Sequence, residues 1–381
     1  MPKRPPASLS SPTGIDTTVL RATEAGTSGF RGRFEASFAP DFFRATTFGP
    51  TVSSIGIGTY LGDNTDADDA AYESAIHAAI SAGVNLIDTA INYRCQRSER
   101  AIGAAIQQII ASGTATREEL VVCSKGGYIP LDRTPPATRD EYLRYVRREF
   151  IDQEIVRPDE IVGGGHSLAP RFVRYCLAKS RQNLGLRTID IYYVHNPGQG
   201  LAGESGTELQ NRLRGAFGVL EEAVARSEIG VYGCATWDEL RLPPGSAGHL
   251  SLETLVGLAR DVAGDGHHFR AVQVPINLAM PEAVRNPTQP LGADHRLVTV
   301  VEAAAELGLT VVASASLMQS RLTTGLPEAL RDHFPNATTD AQRAIEFTRT
   351  LPGVTVALVG MKSVGHVGEN LEAARRSRSP A

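Results

Sequence analysis

The chain has 381 residues, 42% hydrophobic and 21% charged, with 38 Lys and Arg against 42 Asp and Glu for a formal net charge of −4. This near balance offers no basic surface for nucleic acid or an anionic membrane, and the length suits one large single-core domain. No run is apolar enough to span a bilayer. The four cysteines, Cys95, Cys123, Cys176 and Cys234, lack metal-ligand spacing, so a reduced, cytoplasmic protein without a metal site is expected.

Residues 1–42 are rich in Pro, Ser, Thr, Ala and Gly and read as a flexible N-terminal arm; its first stretch, MPKRPPASLSSPTG, has no apolar signal core. Phe30, Phe34, Phe38, Phe42 and Phe43 imply that the second half packs on the domain. From 43 to 381 the pattern is an apolar strand followed by an amphipathic helix, repeated eight times. Strand one is Ser54–Gly58, with a helix over Asp66–Ala82. Strand two lies in VNLID, ending at Asp88, with a helix over Ser98–Ala111. Strand three is Leu120–Lys125, and a long excursion over 126–167 separates it from a helix at Ala169–Leu184.

Strand four is Ile189–His195, and a glycine-rich loop over 196–208 leads to a helix at Leu209–Ser227. Strand five opens IGVYGCATW at Ile229, before a helix at Ser251–Val262. Strand six is AVQVPIN, with a helix expected from Arg296 to Leu307. Strand seven is TVVASAS, with a helix at Asp340–Thr350, and strand eight is VTVALVG, with a last helix from Val364. Continuous apolar strands are those of a parallel sheet covered on both faces. Eight such units predict an α/β fold, a (β/α)8 TIM barrel with an N-terminal extension and long catalytic-face loops.

In such a barrel the chemistry sits at the C-terminal strand ends. Those ends carry Asp88, with Tyr93 just beyond it, then Lys125 and His195. A buried ammonium at Lys125 needs an anion, and Asp88 on the neighbouring strand supplies one. A cation beside Tyr93 is expected to lower its pKa and make it a general acid, while His195 donates to a substrate carbonyl. The four suit protonation of an oxygen on which negative charge develops. Hydride delivery to a carbonyl creates that charge, and nicotinamide cofactors are the usual source.

The sequence resembles an aldo-keto reductase from about Thr46 to Ala374. The matching motifs are GIGTY at Gly56–Tyr60, IDTAINY and SERAIG within Ile87–Gly103, SKGGY at Ser124–Tyr128, IDIYYVHNP at Ile189–Pro197, IGVYGCATW at Ile229–Trp237 and VGMKSVGHVGENL at Val359–Leu371. The resemblance implies a carbonyl–alcohol oxidoreductase using NADP(H), with NAD(H) as a second cofactor, and a catalytic tetrad of Asp88, Tyr93, Lys125 and His195. Its implied cofactor residues are Gly58, Thr59, Tyr60, Asp88, Thr236, Gln273, Ser314, Ser316, Leu317, Met361, Lys362, Ser363, His366, Glu369 and Asn370. Lys362 and Ser363, at a helix start, suit a phosphate. Tyr60, Tyr128, Trp237 and His166 are the expected substrate contacts. The expected partners are a small carbonyl or alcohol substrate, with no nucleic acid or membrane, in a monomer or weak homo-oligomer.

The chain departs from the family pattern where Ala235-Thr236 replaces the usual Ser-Asn, where Ser314 replaces a ring-stacking aromatic, and where His366 replaces an arginine. The first two changes support an alternative, an NADP(H)-binding redox sensor with little turnover. The excursion 126–167 is expected to form a substrate lid, with Tyr142, Tyr145 and Phe150 on one face of a helix.

Overall fold

The computed structural model describes residues 20–199 and 206–375. Its centre is a closed eight-stranded parallel barrel. The strands are β1 (Ile55–Gly58), β2 (Leu86–Asp88), β3 (Val121–Gly126), β4 (Ile189–His195), β5 (Ile229–Ala235), β6 (Phe269–Pro275), β7 (Thr310–Ser314) and β8 (Val356–Gly360). They pair in chain order, and β8 closes onto β1 through Gly360 and Gly58. The helices are α1 (Asp66–Ser81), α2 (Arg97–Ala111), α3 (Pro170–Leu184), α4 (Gly206–Ala225), α5 (Leu252–Ala263), α6 (Val300–Glu306), α7 (Asp340–Thr350) and α8 (Val364–Leu371). This is the (β/α)8 barrel the strand pattern predicts.

Strand alternation decides what faces inward. Leu86, Val121, Cys123, Ile191, Tyr193, Val231, Ala271, Val312, Val356 and Leu358 form a buried cluster that fills the barrel. The intervening residues, among them Ile57, Ile87, Val122, Tyr192, Tyr232 and Val272, pack outward in the larger helix-facing core. Gly56 is required by this interior: a Cβ there would lie 2.8 Å from Leu86, 2.9 Å from Leu358 and 3.0 Å from Val356. Continuing the inward parity by one step up each strand reaches Asp88, Lys125, His195, Ala235, Gln273 and Ser314. The site is therefore the top layer of the barrel filling.

Three expectations change. Residues 20–42 are not an arm. Glu24–Phe34 is a helix, Phe43–Ala45 pairs with Thr51–Ser53, and Phe30, Phe38 and Phe42 are fully buried beneath the barrel. Residues 1–19 of the expected arm lie outside the described residues, as does 200–205 of the glycine-rich loop. Second, the helix expected from Arg296 starts later. Arg296–Val298 pairs antiparallel with Gln289–Leu291, and Thr299 caps α6 by accepting from the Glu302 amide.

Third, the excursion 126–167 holds a helix at Arg139–Val146 that widens to a π turn over Arg147–Ile151. Tyr142, Tyr145 and Phe150 do pack together, but against Phe172, Tyr175 and Cys176 of α3, on the flank of the barrel. Among the described residues, no helix is long and apolar enough to cross a membrane, and no cluster of His, Cys, Asp or Glu is grouped to hold a metal.

Candidate active site

A cavity of about 410 Å³ opens at the C-terminal ends of the strands. Its floor is an ion pair. Lys125 Nζ, fully buried, donates to Asp88 Oδ1 at 2.5 Å and to the Thr89 carbonyl at 2.8 Å. The second Asp88 oxygen accepts from Gln273 Nε2 at 2.8 Å. Burial lifts the Asp88 carboxyl above its ordinary range, against the pull of Lys125 and Gln273. For Lys125 burial acts downward but is outweighed by Asp88 and Tyr93, so the ammonium is held above its usual value.

Tyr93 lies over this pair, with Lys125 Nζ 4.9 Å from its ring centre. Its pKa is raised, not lowered as the neighbouring cation alone predicts. Burial disfavours the phenolate by more than Lys125 favours it, and Asp88 adds to the rise. Tyr93 is thus a fully protonated donor whose proton leaves only when charge develops nearby. The backbone behind it is strained, since Arg94, Cys95 and Gln96 have φ of 48°, 53° and 68°, three successive left-handed residues without a glycine. Arg94 holds this turn through the Asp63 carbonyl at 2.9 Å and Asp69 Oδ1 at 2.6 Å, and Gln96 through the Leu131 carbonyl at 3.0 Å.

The rings form a chain across the cavity. Tyr60 meets Tyr93 edge-on at 5.0 Å, Tyr93 meets His195 at 5.8 Å, and Tyr128 touches both His195 and His166 at 5.0 Å. Burial drives the His195 imidazole well below its usual pKa, with Lys125 and His166 adding to the effect, so His195 is neutral. His166 is pushed down to about 4, chiefly by burial.

Of the residues expected at the site, Gly58, Thr59, Tyr60, Asp88, Tyr93, Tyr128, His195, Thr236, Trp237, Gln273, Ser314, Ser316 and Leu317 line the cavity. Lys125 lies beneath it. His166 does not line it; its Nε2 reaches the His195 carbonyl instead. The expected lid contributes only Tyr128 to the wall. Met361 and Asn370 are buried in the packing of α8, and Gln342 donates to the Glu369 carbonyl. Ser363 caps α8 by accepting from the His366 amide at 3.2 Å. Lys362 is bound to Asp68, at 3.0 and 2.8 Å from its two oxygens.

Asn92, Asn196, Gln319 and Ser320 also line the cavity, as do Leu61 and Gly360. Asn92 and Asn196 sit inside the INY and HNP motifs beside assigned residues, which was the available signal. Gln319 and Ser320 carry none, because their place depends on a left-handed turn over Met318–Ser320. Asn92 Oδ1, Thr236 Oγ1 and Ser316 Oγ are buried on this wall without a hydrogen-bond partner.

Residues 54–241 match the model of the Aldo/keto reductase family. The barrel belongs to the aldo-keto reductase family. The chain is 29% identical over 192 residues to D-threo-aldose 1-dehydrogenase from Pseudomonas sp, a match covering 50% of this chain and 51% of that protein. It is 33% identical over 124 residues to 6-dehydroglucose reductase from Novosphingobium aromaticivorans, covering 31% of this chain and 38% of that protein. The chain thus spans about half, or less, of the curated relatives it matches. A solved aldo/keto reductase from Klebsiella pneumoniae in complex with NADP and acetate aligns with a TM-score of 0.57 at 21% identity, covering 87% of this chain and 89% of that one. That last likeness is one of fold. Within this aldo-keto reductase barrel, the family match spans β2, β3 and β4, the strands at whose ends Asp88, Lys125 and His195 stand.

Proposed function

We propose that this aldo-keto reductase interconverts a carbonyl and an alcohol on a small molecule, using NADP(H) as hydride carrier and NAD(H) as a second cofactor. The observation that carries the reading is the Asp88–Lys125 pair directly beneath the Tyr93 ring, with neutral His195 across the same cavity. The donor set fits a nicotinamide carboxamide: the orphaned oxygens of Asn92, Thr236 and Ser316 lie on one wall, at or beyond the ends of β2, β5 and β7. Thr236 then takes the place left by the Ala235-Thr236 departure. When bound, the cofactor supplies or accepts the hydride, two electrons and one hydrogen nucleus.

The protein supplies the rest. His195, uncharged, orients the carbonyl oxygen as a hydrogen-bond donor. Tyr93 gives its proton to that oxygen as charge gathers there. The Lys125 ammonium stabilises the phenolate so formed, and Asp88 keeps the ammonium fixed beneath it. The proton returns to Tyr93 from water. Leu61 and Gly360, on the cavity rim, lead towards Lys362 and the N-terminus of α8, which is the reading for the adenosine phosphate.

The test uses the chain's single tryptophan, Trp237, on the cavity wall. Titration with NADPH or NADH is expected to quench its fluorescence saturably, with oxidation of the cofactor in the presence of a suitable aldehyde. Quenching without turnover across a broad carbonyl panel would favour the sensor alternative. The absence of quenching and of heat on mixing would overturn both.

A further inference from the structure

The cavity wall has aromatic faces and neutral polar groups but no cation. Among the described residues lining it, Asp88 is the one charged side chain, and its charge is met by Lys125 and Gln273. The basic residues nearest the lining in the chain are committed elsewhere. Arg94 binds Asp69, Arg241 binds Asp238 and Glu282, and Lys362 binds Asp68. Arg321 follows the lining residue Ser320 but is exposed and does not line the cavity. His195 and His166 are held neutral by burial, so neither supplies a positive charge at neutral pH.

At the mouth stand Tyr60, 53% exposed, and Trp237, 42% exposed, the two most exposed aromatic side chains of the lining. Large exposed rings at a concave site are surfaces for a flat or ring-shaped ligand. A carboxylate or phosphate entering between them would lose its water without gaining a counter-ion, which is unfavourable wherever it stops. A neutral ring loses little and gains the faces of Tyr60 and Trp237.

We propose that the substrate is an uncharged carbonyl compound bearing a ring, and that the site excludes carboxylated or phosphorylated carbonyl compounds. The proposal rests on the reductase reading above for the carbonyl, and on the wall chemistry alone for the charge and the ring.

Two measurements separate these supports. In the first, Trp237 fluorescence of the NADPH-loaded protein is titrated with benzyl alcohol and with benzoate at pH 7.5. The neutral ring is expected to bind at least about tenfold more tightly than the anion. Equal or tighter binding of benzoate, or binding of neither, overturns the proposal. In the second, kcat/KM is compared for 4-carboxybenzaldehyde and its methyl ester. An ester advantage of about tenfold or more supports the proposal, and equal or better use of the acid overturns it. Selective benzyl alcohol binding with no reduction of either aldehyde would uphold the charge rule and sink the reductase reading instead.

Discussion

His166 Nε2 lies 2.7 Å from the main-chain carbonyl oxygen of His195. With the carbonyl as acceptor, Nε2 carries the proton, and Nδ1, buried without a partner, is the bare nitrogen. The excursion 126–167 therefore reaches the site through the backbone under His195, with Tyr128 wedged against both rings. His166 is a positioning residue, and its neutral state is a condition of the arrangement. Its folded pKa of about 4 lies below the ordinary 6.5, so between those values the unfolded chain binds the proton and the folded one does not. Its contribution is complete above pH 6.5 and is lost as the pH falls towards 4, by up to about 3 kcal/mol. Urea unfolding from pH 8 to 4.5 should show this loss, and His166→Gln should flatten the part that His166 causes. A variant with the same pH slope as the parent would remove the assigned role.

Tyr93→Phe removes one hydroxyl from the cavity and leaves the ring over Lys125. Reduction is expected to fall by at least about a thousandfold, with cofactor affinity changed by less than about threefold. Stopped-flow turnover and Trp237 quenching measure the two separately. Equal losses in both would show that Tyr93 holds the cofactor rather than the proton.

The Asp88–Lys125 pair makes a different prediction, about stability. Lys125→Met leaves Asp88 buried with only Gln273 to bond it, at a cost of about 3–5 kcal/mol. Changing both residues, Asp88→Leu with Lys125→Met, removes the stranded charge, and the double variant should recover part of that loss while staying inactive. Denaturant midpoints of the three proteins decide the matter. A double variant less stable than the Lys125 variant alone would mean the pair itself adds net stability.

Much of this architecture is legible in the sequence because parallel strands covered on both sides must be apolar throughout. That requirement makes the eight runs visible, and strand ends at Asp88, Lys125 and His195 then follow. What is not legible depends on depth and on distant partners. The pKa of Tyr93 rises because the whole residue is enclosed, and a cation two strands away in sequence gives no hint of that burial. Residues 20–42 read as an arm because their composition is polar. Their order comes from a few positions, such as Phe30, Phe38 and Phe42, finding a floor supplied by the barrel. Arg296–Val298 fits a helical pattern but is taken by pairing with Gln289–Leu291.

The pairing of Asp68 with Lys362 spans 294 positions and was equally hidden. It bears directly on cofactor choice. Asp68 is fixed in place, since its Oδ2 also accepts from the Asp63 amide at 2.6 Å, and its carboxyl is held below the usual range, first by the hydrogen bond from Lys362. If Lys362 is the group that meets the adenosine 2′-phosphate, Asp68 presents a competing anion to the same ammonium. A phosphate must displace it or bind beside a like charge, whereas NAD(H), lacking that phosphate, is not affected. Asp68→Asn keeps the shape and a hydrogen-bonding oxygen while removing the charge. NADPH affinity, read from Trp237 quenching at low salt, should then rise about three- to tenfold with NADH affinity unchanged. The gain should shrink at 0.5 M salt, because the rim is solvent-exposed and screened. A parallel change in both affinities would assign Asp68 to the fold of the 61–69 loop, and a fall in NADPH affinity alone would mean that Asp68 holds Lys362 ready for the phosphate.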